Sequence, residues 1–97
     1  MAKAYWITFY HSIKNPAALA DYAKLAAPAI EAGGGKFLAR SVAAEAHEAG
    51  KKERVVMIEF PSLQHAKAAH DSPGYQAALK VLGDAVVRDM RFVESLA

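Results

Sequence analysis

Two segments of the chain are apolar at both of the alternating sets of positions that a strand presents. They are residues 4–10 and 55–60. A half-exposed strand alternates apolar and polar residues, because successive side chains point to opposite faces of the sheet. These two segments do not alternate, so we predict that they are central strands of a sheet that is covered on both faces.

Sequence signals for caps and turns divide the rest of the chain. Asn15 followed by Pro16 is typical of a helix start, and Gly33 begins a triple glycine that is suited to a helix end. Ser62 and Ser72 are candidate N-caps of two later helical segments, with His65 where a capping box would have Glu or Gln. The predicted elements are a strand over 4–11, a helix over 16–32, strands over 36–42 and 53–60, helical segments over 63–70 and from 73 to a stop at 83, and a strand over 86–94.

The predicted order is βαββαβ, with the second helix interrupted near residue 72. This order is that of the split βαβ or ferredoxin-like plan, an α+β fold. Its four-stranded antiparallel sheet has strand order 4-1-3-2 and carries both helices on one face. The two apolar segments then occupy the centre. Charged residues of the outer strands protect the sheet edges: Lys36 and Arg40 on one edge, and Arg88, Asp89 and Arg91 on the other. Residues 1–97 are expected to form one domain.

The predicted sheet has one face that no helix covers. This face would still carry large apolar side chains from several strands. Left in water, it would exceed the few hundred Å² of apolar patch that monomers usually expose. We therefore predict a homodimer in which two such faces pack together.

Several short motifs carry a resemblance to a known family over nearly the whole chain. They are Tyr5-Trp6-Ile7, Gly33-Gly34, Phe37-Leu38-Ala39-Arg40, Glu59-Phe60-Pro61-Ser62, Ala66, Ser72-Pro73-x-Tyr75-Gln76 and Arg91-Phe92-Val93-Glu94. The chain resembles the family called domain of unknown function 1330, of the dimeric α+β barrel superfamily. The resemblance implies a ferredoxin-like subunit and a dimeric barrel. Relatives in the superfamily include cofactor-independent monooxygenases, lactone isomerases, haem enzymes and binding-only members.

Composition and charge remove several classes of function. The chain of 97 residues has a net charge of +2, with 12 basic and 10 acidic residues scattered along it, and this pattern argues against a nucleic-acid partner. It contains no cysteine, which excludes disulfides and thiolate chemistry and fits the cytoplasm. No signal-peptide pattern or apolar run of membrane-spanning length is present. No cofactor fingerprint is found either, and we expect no cofactor.

Glu59 is the leading candidate for chemistry, because it is a carboxylate inside an apolar central strand. Its partner is expected to be Arg40 on the adjacent hairpin strand. One interpretation is a structural ion pair. The alternative is a general base, with Arg40 binding an anionic group of a ligand. The sequence does not tell which face of the sheet Glu59 occupies.

The histidines offer a second possibility. His11, at the predicted end of the first strand, is a candidate acid–base group facing the cleft between sheet and helices, or simply a polar strand end. It stands where many members of the resembled family have an acidic residue. His65 and His70 are five residues apart, about 140° around a helix, so they do not share a face. With His47 in a distant loop, we expect no metal site.

Three aromatic residues complete the list of candidates. Tyr22 and Tyr75 fall on the predicted buried faces of the helices, where their hydroxyls need partners. They would bond the backbone or Glu59, or point into a pocket and orient a small ligand. Trp6 is expected to contribute mainly to the core, with a ligand site as the alternative.

Three functions remain open on the sequence. The main interpretation is an uncharacterised dimeric barrel protein with a small-molecule pocket between sheet and helices. One alternative is a cofactor-independent enzyme, of the proton-transfer, isomerase or monooxygenase type, that acts on a small organic acid or aromatic compound. The other is a dimerisation module without a ligand.

Overall fold

The computed structural model describes residues 2–96, which form a four-stranded antiparallel sheet with three helices. The elements, in chain order, are β1 (Ala4–Ile13), α1 (Pro16–Ala32), β2 (Lys36–Val42), β3 (Arg54–Phe60), α2 (Leu63–Asp71), α3 (Pro73–Leu82) and β4 (Val86–Glu94). The sheet order is β2-β3-β1-β4. This order confirms the predicted ferredoxin-like α+β subunit.

The helix ends follow the predicted capping residues. The side chain of Asn15 accepts a hydrogen bond from the amide of Ala18, and Pro16 is the first residue of α1. Ser72 separates α2 from α3, and its hydroxyl accepts from the amide of Tyr75. At the start of α2 the predicted gap in the capping box is filled differently, since the Ser62 hydroxyl lies 2.7 Å from Nδ1 of His65. These local bonds satisfy amides that a helix leaves unpaired at its start.

The glycine segment ends α1, as the sequence predicts. The amide of Gly33 bonds back to the last turn, and Gly34 has a φ of +96°, which favours glycine. Gly35 is required by space, because an added Cβ would lie 2.6 Å from the side chain of Ile30. The segment therefore closes the helix against the sheet.

The first strand is longer than the sequence predicts. It continues past His11 to Ile13, because Ser12 and Ile13 pair with the start of β4 beyond an irregularity at Tyr10–Ser12. The third strand begins one residue later than predicted, at Arg54. The hairpin loop between β2 and β3 is closed by a bond from the amide of Ala43 to the carbonyl of Glu53.

The core lies between the helices and one face of the sheet. The largest fully buried side chains are those of Trp6, Tyr75, Phe60 and Ile58. The Trp6 ring centre is 5.0 Å from that of Tyr75, in an edge-on arrangement. Alternation along β1 and β3 places every second residue in this core and the intervening residues on the face without helices.

Candidate functional site

A cavity of about 260 Å³ lies between α1 and the helix-facing side of the sheet. Its walls are of two kinds. Most of the lining is apolar, from small and aliphatic residues of α1 and from strand residues such as Trp6 and Ile58. The polar part is formed by Thr8, Tyr10, Tyr22, Arg40, Arg54 and Arg88.

Strand alternation and register bring three of these polar residues together. Tyr10 is in phase with the buried residues Trp6 and Thr8 and pairs with Arg88 on β4. On its other side, the register that pairs Phe9 with Val55 makes Arg54 the neighbour of Tyr10. The guanidinium carbons of Arg54 and Arg88 lie 6.0 and 5.8 Å from the centre of the Tyr10 ring. The ring therefore separates two cations on the cavity wall, at distances compatible with cation–π attraction.

Arg88 is the centre of a hydrogen-bonded cluster of phenols. One terminal nitrogen, Nη1, donates to the hydroxyls of Tyr10 and Tyr22 at 3.3 and 3.2 Å. The other, Nη2, donates to the hydroxyl of Tyr75 at 3.3 Å. The hydroxyls of Tyr22 and Tyr75 are themselves 2.7 Å apart. We call Arg88, Tyr10, Tyr22 and Tyr75 the Arg88 cluster.

The environment of the cluster keeps Tyr10 and Tyr75 protonated. Burial raises the pKa of Tyr75 well above its ordinary value, and the neighbouring Tyr22 acts in the same direction. Burial also raises the pKa of Tyr10, against the opposing influence of Arg88. For Arg88, burial acts to lower the pKa, but the surrounding tyrosine oxygens outweigh it and the net pKa is raised. The cluster thus combines a fixed cation with the neutral hydroxyls of Tyr10 and Tyr75.

The cavity is lined by three arginines and by no acidic residue of the described chain. The ion pairs within residues 2–96 join other groups: Lys3 with Glu59, His47 with Glu45, His70 with Asp71 and Arg91 with Asp89. Two buried donors of the lining residues, Nε of Arg54 and Nε1 of Trp6, have no hydrogen-bond partner within the described residues. Positive charge and unpaired donors therefore accumulate around one small apolar space.

Several residues predicted from the sequence meet at this cavity. Trp6, Tyr22 and Arg40 line it, and Tyr75 lies directly behind Tyr22. Arg40 is the most exposed of the cavity arginines, and its guanidinium carbon lies 4.6 Å from the centre of the Phe37 ring. The tyrosine hydroxyls bond each other and Arg88, whereas the sequence suggested the backbone or Glu59 as partners.

The predicted pairing of Glu59 with Arg40 is wrong. The register places Arg40 opposite Val56, on the helix-facing side, and Glu59 opposite Lys36. Because Val56 and Glu59 are three residues apart in one strand, their side chains lie on opposite faces of the sheet. Glu59 instead forms an ion pair with Lys3 at 3.4 Å. Glu59 therefore lies outside the cavity and cannot act as a base on a ligand bound there.

His11 is also outside this cavity, so its interpretation as an acid–base group facing the cleft is wrong, and its interpretation as a polar strand residue remains. It is exposed and lines a different concavity on the face without helices, together with Asp89 and Arg91. Asp89 accepts two hydrogen bonds from Arg91, which lower the pKa of the carboxyl. The physical reason for the placement is strand alternation, which separates His11 from Tyr10.

Three residues of the site were missed or misassigned by the sequence analysis: Tyr10, Arg54 and Arg88. Arg88 was assigned to edge protection, although it is in phase with Met90 and Phe92, which pack against the core. Arg54 is likewise in phase with the buried Val56. The period of two along β3 and β4 was therefore a usable signal. Along β3 it was hidden because this central strand is apolar on both faces.

Within residues 2–96 no group of three or more His, Asp or Glu side chains is arranged to hold a metal ion. No helix in the same range is long and apolar enough to cross a membrane.

Comparison with known proteins places the chain in a fold with many members of undefined activity. The family model described as domain of unknown function (DUF1330) matches residues 3–96. No curated protein matches the chain.

Solved structures show the same fold at low sequence identity. A protein of unknown function from Rhodopseudomonas palustris is 18% identical, with a TM-score of 0.74 over 99% of this chain and 84% of its own. A dimeric ferredoxin-like protein of unknown function from Thermobifida fusca is 15% identical, with a TM-score of 0.66 over 97% of this chain and 92% of its own. SnoaB, a cofactor-independent oxygenase from Streptomyces nogalater, is 14% identical, with a TM-score of 0.63 over 100% of this chain and 96% of its own.

Proposed function

Because this chain belongs to the DUF1330 family, which is described only as a domain of unknown function, we propose a function from its own cavity. The protein binds a small organic anion with an apolar or aromatic body. The binding site is the cavity between α1 and the sheet. The anionic group lies at the arginine and tyrosine side of the cavity, and the body lies against the apolar side.

The observation that supports this proposal most directly is the unbalanced positive charge. Arg40, Arg54 and Arg88 line the same cavity, and none of them forms an ion pair within the described residues. Bringing a guanidinium out of water is costly unless an anion or acceptors compensate it. A carboxylate is well suited to this role, since arginine binds it through two parallel hydrogen bonds.

The size and lining of the cavity restrict the ligand further. Its volume of about 260 Å³ is close to the lower end of the usual range for ligand pockets, roughly 300–1,000 Å³. Trp6, Phe37 and Ile58 form part of the apolar wall. A ligand of the size of an aromatic or short branched carboxylic acid is therefore favoured over a nucleotide or a polymer.

Binding is favoured over general acid–base catalysis by the same lining. The cavity wall contains no carboxylate or imidazole among the described residues, and these are the side chains that most often transfer protons in enzymes. Glu59 and His11, the two catalytic candidates from the sequence, lie on the other face of the sheet. That SnoaB is a cofactor-independent oxygenase keeps an enzymatic role as the second candidate, in which tyrosine and arginine would be the reacting groups.

Ligand binding can be tested by calorimetry and thermal unfolding of the purified protein. Benzoate and 3-phenylpropanoate are compared with benzamide, a neutral molecule of similar shape. A ligand that binds only the folded state stabilises it by about 2.7 kcal/mol at about 100 times its Kd. We expect stabilisation by the carboxylates and a much smaller effect of benzamide.

A matched pair of variants locates the site. Arg54→Met should weaken benzoate binding, because it removes a cavity cation but keeps a long apolar side chain. Arg91→Met is the control, since Arg91 is exposed, lies on the other face and pairs with Asp89. Equal stabilisation by benzoate and benzamide, or equal losses in the two variants, would contradict the proposal. Consumption of a bound ligand in the same samples would favour the enzymatic candidate.

We further propose that a second copy of the chain covers the helix-free face of the sheet. This face carries the side chains of Tyr5, Ile7, Phe9, Val55, Met57 and Val93, and Phe9 is 41% exposed. The T. fusca relative is a dimeric ferredoxin-like protein. Light scattering should give twice the chain mass for the wild type and the chain mass for Phe9→Lys. A wild-type mass of one chain at micromolar concentration would refute this proposal.

A cytoplasmic location stays a prediction from the lack of cysteine.

A further inference from the structure

We propose that Tyr10 and Tyr22 contact the ligand's oxyanion directly and hold it with two phenolic O–H groups in front of Arg88. This inference rests on the proposed function, because it assigns the anion position within the same cavity. It concerns a single chemistry, a carboxylate or phenolate oxygen that accepts both hydrogen bonds. The hydroxyl hydrogens of the Arg88 cluster, and the groups to which each can be donated, support this assignment.

Arg88 determines how the phenol oxygens are used. A guanidinium has only donors, so each of its three contacts runs from an N–H of Arg88 to a hydroxyl oxygen. The oxygens of Tyr10, Tyr22 and Tyr75 therefore act as acceptors towards Arg88. Each tyrosine keeps its own hydroxyl hydrogen, which must be donated to another group.

The Tyr22–Tyr75 contact uses one of these hydrogens. The two hydroxyls are 2.7 Å apart, and either could donate. Tyr75 is 0% exposed and does not line the cavity, so its hydrogen would have no partner if Tyr22 were the donor. A buried donor without a partner is costly. The favoured arrangement has Tyr75 donating to Tyr22, which leaves the hydrogen of Tyr22 available.

The Tyr10 hydroxyl, like that of Tyr22, keeps a hydrogen that it does not donate to a protein group. Within the described residues, the only hydrogen bond of this hydroxyl is the one that its oxygen accepts from Arg88. Tyr10 and Tyr22 both border the cavity, and both hydroxyls lie within 3.3 Å of the same nitrogen of Arg88. Two hydroxyl hydrogens are thus available beside the ligand space and close to each other.

Electrostatics make these two hydroxyls suitable for an oxyanion. A phenol whose oxygen accepts a bond from a guanidinium becomes a stronger donor, because hydrogen bonds in a chain polarise one another. The positive charge of Arg88 behind them attracts the ligand's negative charge. Burial raises the pKa of Tyr10, so that this hydroxyl keeps its hydrogen. Preorganised donors of this kind favour a localised negative oxygen over a neutral one.

This arrangement predicts a spectroscopic effect on a bound phenol. A site that favours the charged form lowers the pKa of an acid bound there. The probe is 4-nitrophenol, whose phenolate is yellow and whose neutral form is nearly colourless. At a pH below its pKa in water, the wild-type protein should increase the phenolate absorbance upon binding. An unchanged or decreased absorbance on binding would overturn the inference.

The variants Tyr10→Phe and Tyr22→Phe remove one hydroxyl each and keep the ring. Each should weaken benzoate binding about tenfold to a hundredfold, the expected range for one hydrogen bond to a charged group. Each should also reduce the shift in the absorbance of 4-nitrophenol. Tyr5→Phe is the matched control, because Tyr5 lies on the helix-free face and is expected to leave both measurements unchanged.

The outcomes separate this inference from the proposed function. If benzoate binds and Arg54→Met weakens it, while both tyrosine variants bind like the wild type, the inference is wrong and the proposed function stands. If neither benzoate nor 4-nitrophenol binds the wild type, both are wrong. Should one variant fail to fold, the other variant and the wild-type absorbance still decide the matter.

Discussion

The hydroxyl of Tyr75 should be one of the more valuable single polar groups for the stability of this protein. Tyr75→Phe tests this, because it retains the fully buried ring and its edge-on contact with Trp6. Only two hydrogen bonds are lost: one of 2.7 Å with the hydroxyl of Tyr22 and one of 3.3 Å from Arg88. The effect can therefore be assigned to the hydroxyl alone.

The expected loss follows from the two bonds. A neutral hydrogen bond contributes about 1 kcal/mol, and a bond from a charged donor contributes about 1.5 kcal/mol when it is as long as this one. Arg88 keeps its other two phenols and borders the cavity, so no charge is left buried without a partner. We expect a decrease in the free energy of unfolding of about 2.5 kcal/mol. For a chain of this size, this decrease corresponds to a Tm lower by roughly 10–20 °C.

The assay is urea unfolding together with thermal unfolding, at one protein concentration for all samples. Tyr5→Phe is the control, because it makes the same chemical change on the opposite face of the sheet, where the Tyr5 hydroxyl forms no hydrogen bond within residues 2–96, and it should change the free energy of unfolding by less than Tyr75→Phe does. A Tyr75→Phe protein as stable as the wild type would show that the hydroxyl cluster is absent in solution. Equal losses in the two variants would show that the effect is not specific to the cluster.

Three further results are expected. Burial raises the pKa of Tyr10 and Tyr75 in the folded state, so above their ordinary pKa of 10.0 the unfolded chain loses its protons first. The stability present below pH 10 should then decrease as the pH rises above 10, by at most about 1.4 kcal/mol per pH unit for each of the two phenols, and less steeply in Tyr75→Phe; a flat alkaline profile would contradict the burial of these phenols. Gly35→Ala should cost about 1–3 kcal/mol in urea unfolding, because its Cβ would lie 2.6 Å from the Ile30 side chain, and an unchanged midpoint would refute this close packing. Glu59→Gln should lower the free energy of unfolding by less than about 1 kcal/mol, since it breaks only the ion pair with Lys3. It should leave the affinity for benzoate unchanged, and a loss of benzoate binding would show that Glu59 contributes to the site.

The fold was largely predictable because its signals are local. Asn15, Ser62 and Ser72 cap the predicted helices, and the glycines after α1 end it at the predicted residue. The apolar character of β1 and β3 indicated that they are central, and the observed order β2-β3-β1-β4 confirms this. These signals need only neighbouring residues, or the average polarity of a segment, to be interpreted.

The candidate site was only partly predictable. Trp6, Tyr22 and Arg40 border the cavity, but the sequence offered a ligand site for Trp6 and Tyr22 only as an alternative. Arg40 was a candidate through an expected pairing with Glu59 that does not form. The sequence left the face of Glu59 open and gave the cleft as one of two interpretations for His11, and both residues lie on the other face. In β1 and β3 both alternating sets of residues are apolar, so a period of two shows that a strand is covered but not which set faces the helices.

The sequence by itself determined the order of the elements, their approximate ends and the central position of the two apolar strands, since caps, glycines and hydrophobicity act over a few residues. Only the tertiary structure decided which strand face borders the cavity. It also brought Tyr10 and Tyr22 to within hydrogen-bond distance of Arg88 from positions 78 and 66 residues away along the chain. Such a cluster depends on strand register and helix packing together, and a shift of one residue in either β1 or β4 would turn its side chains to the opposite face.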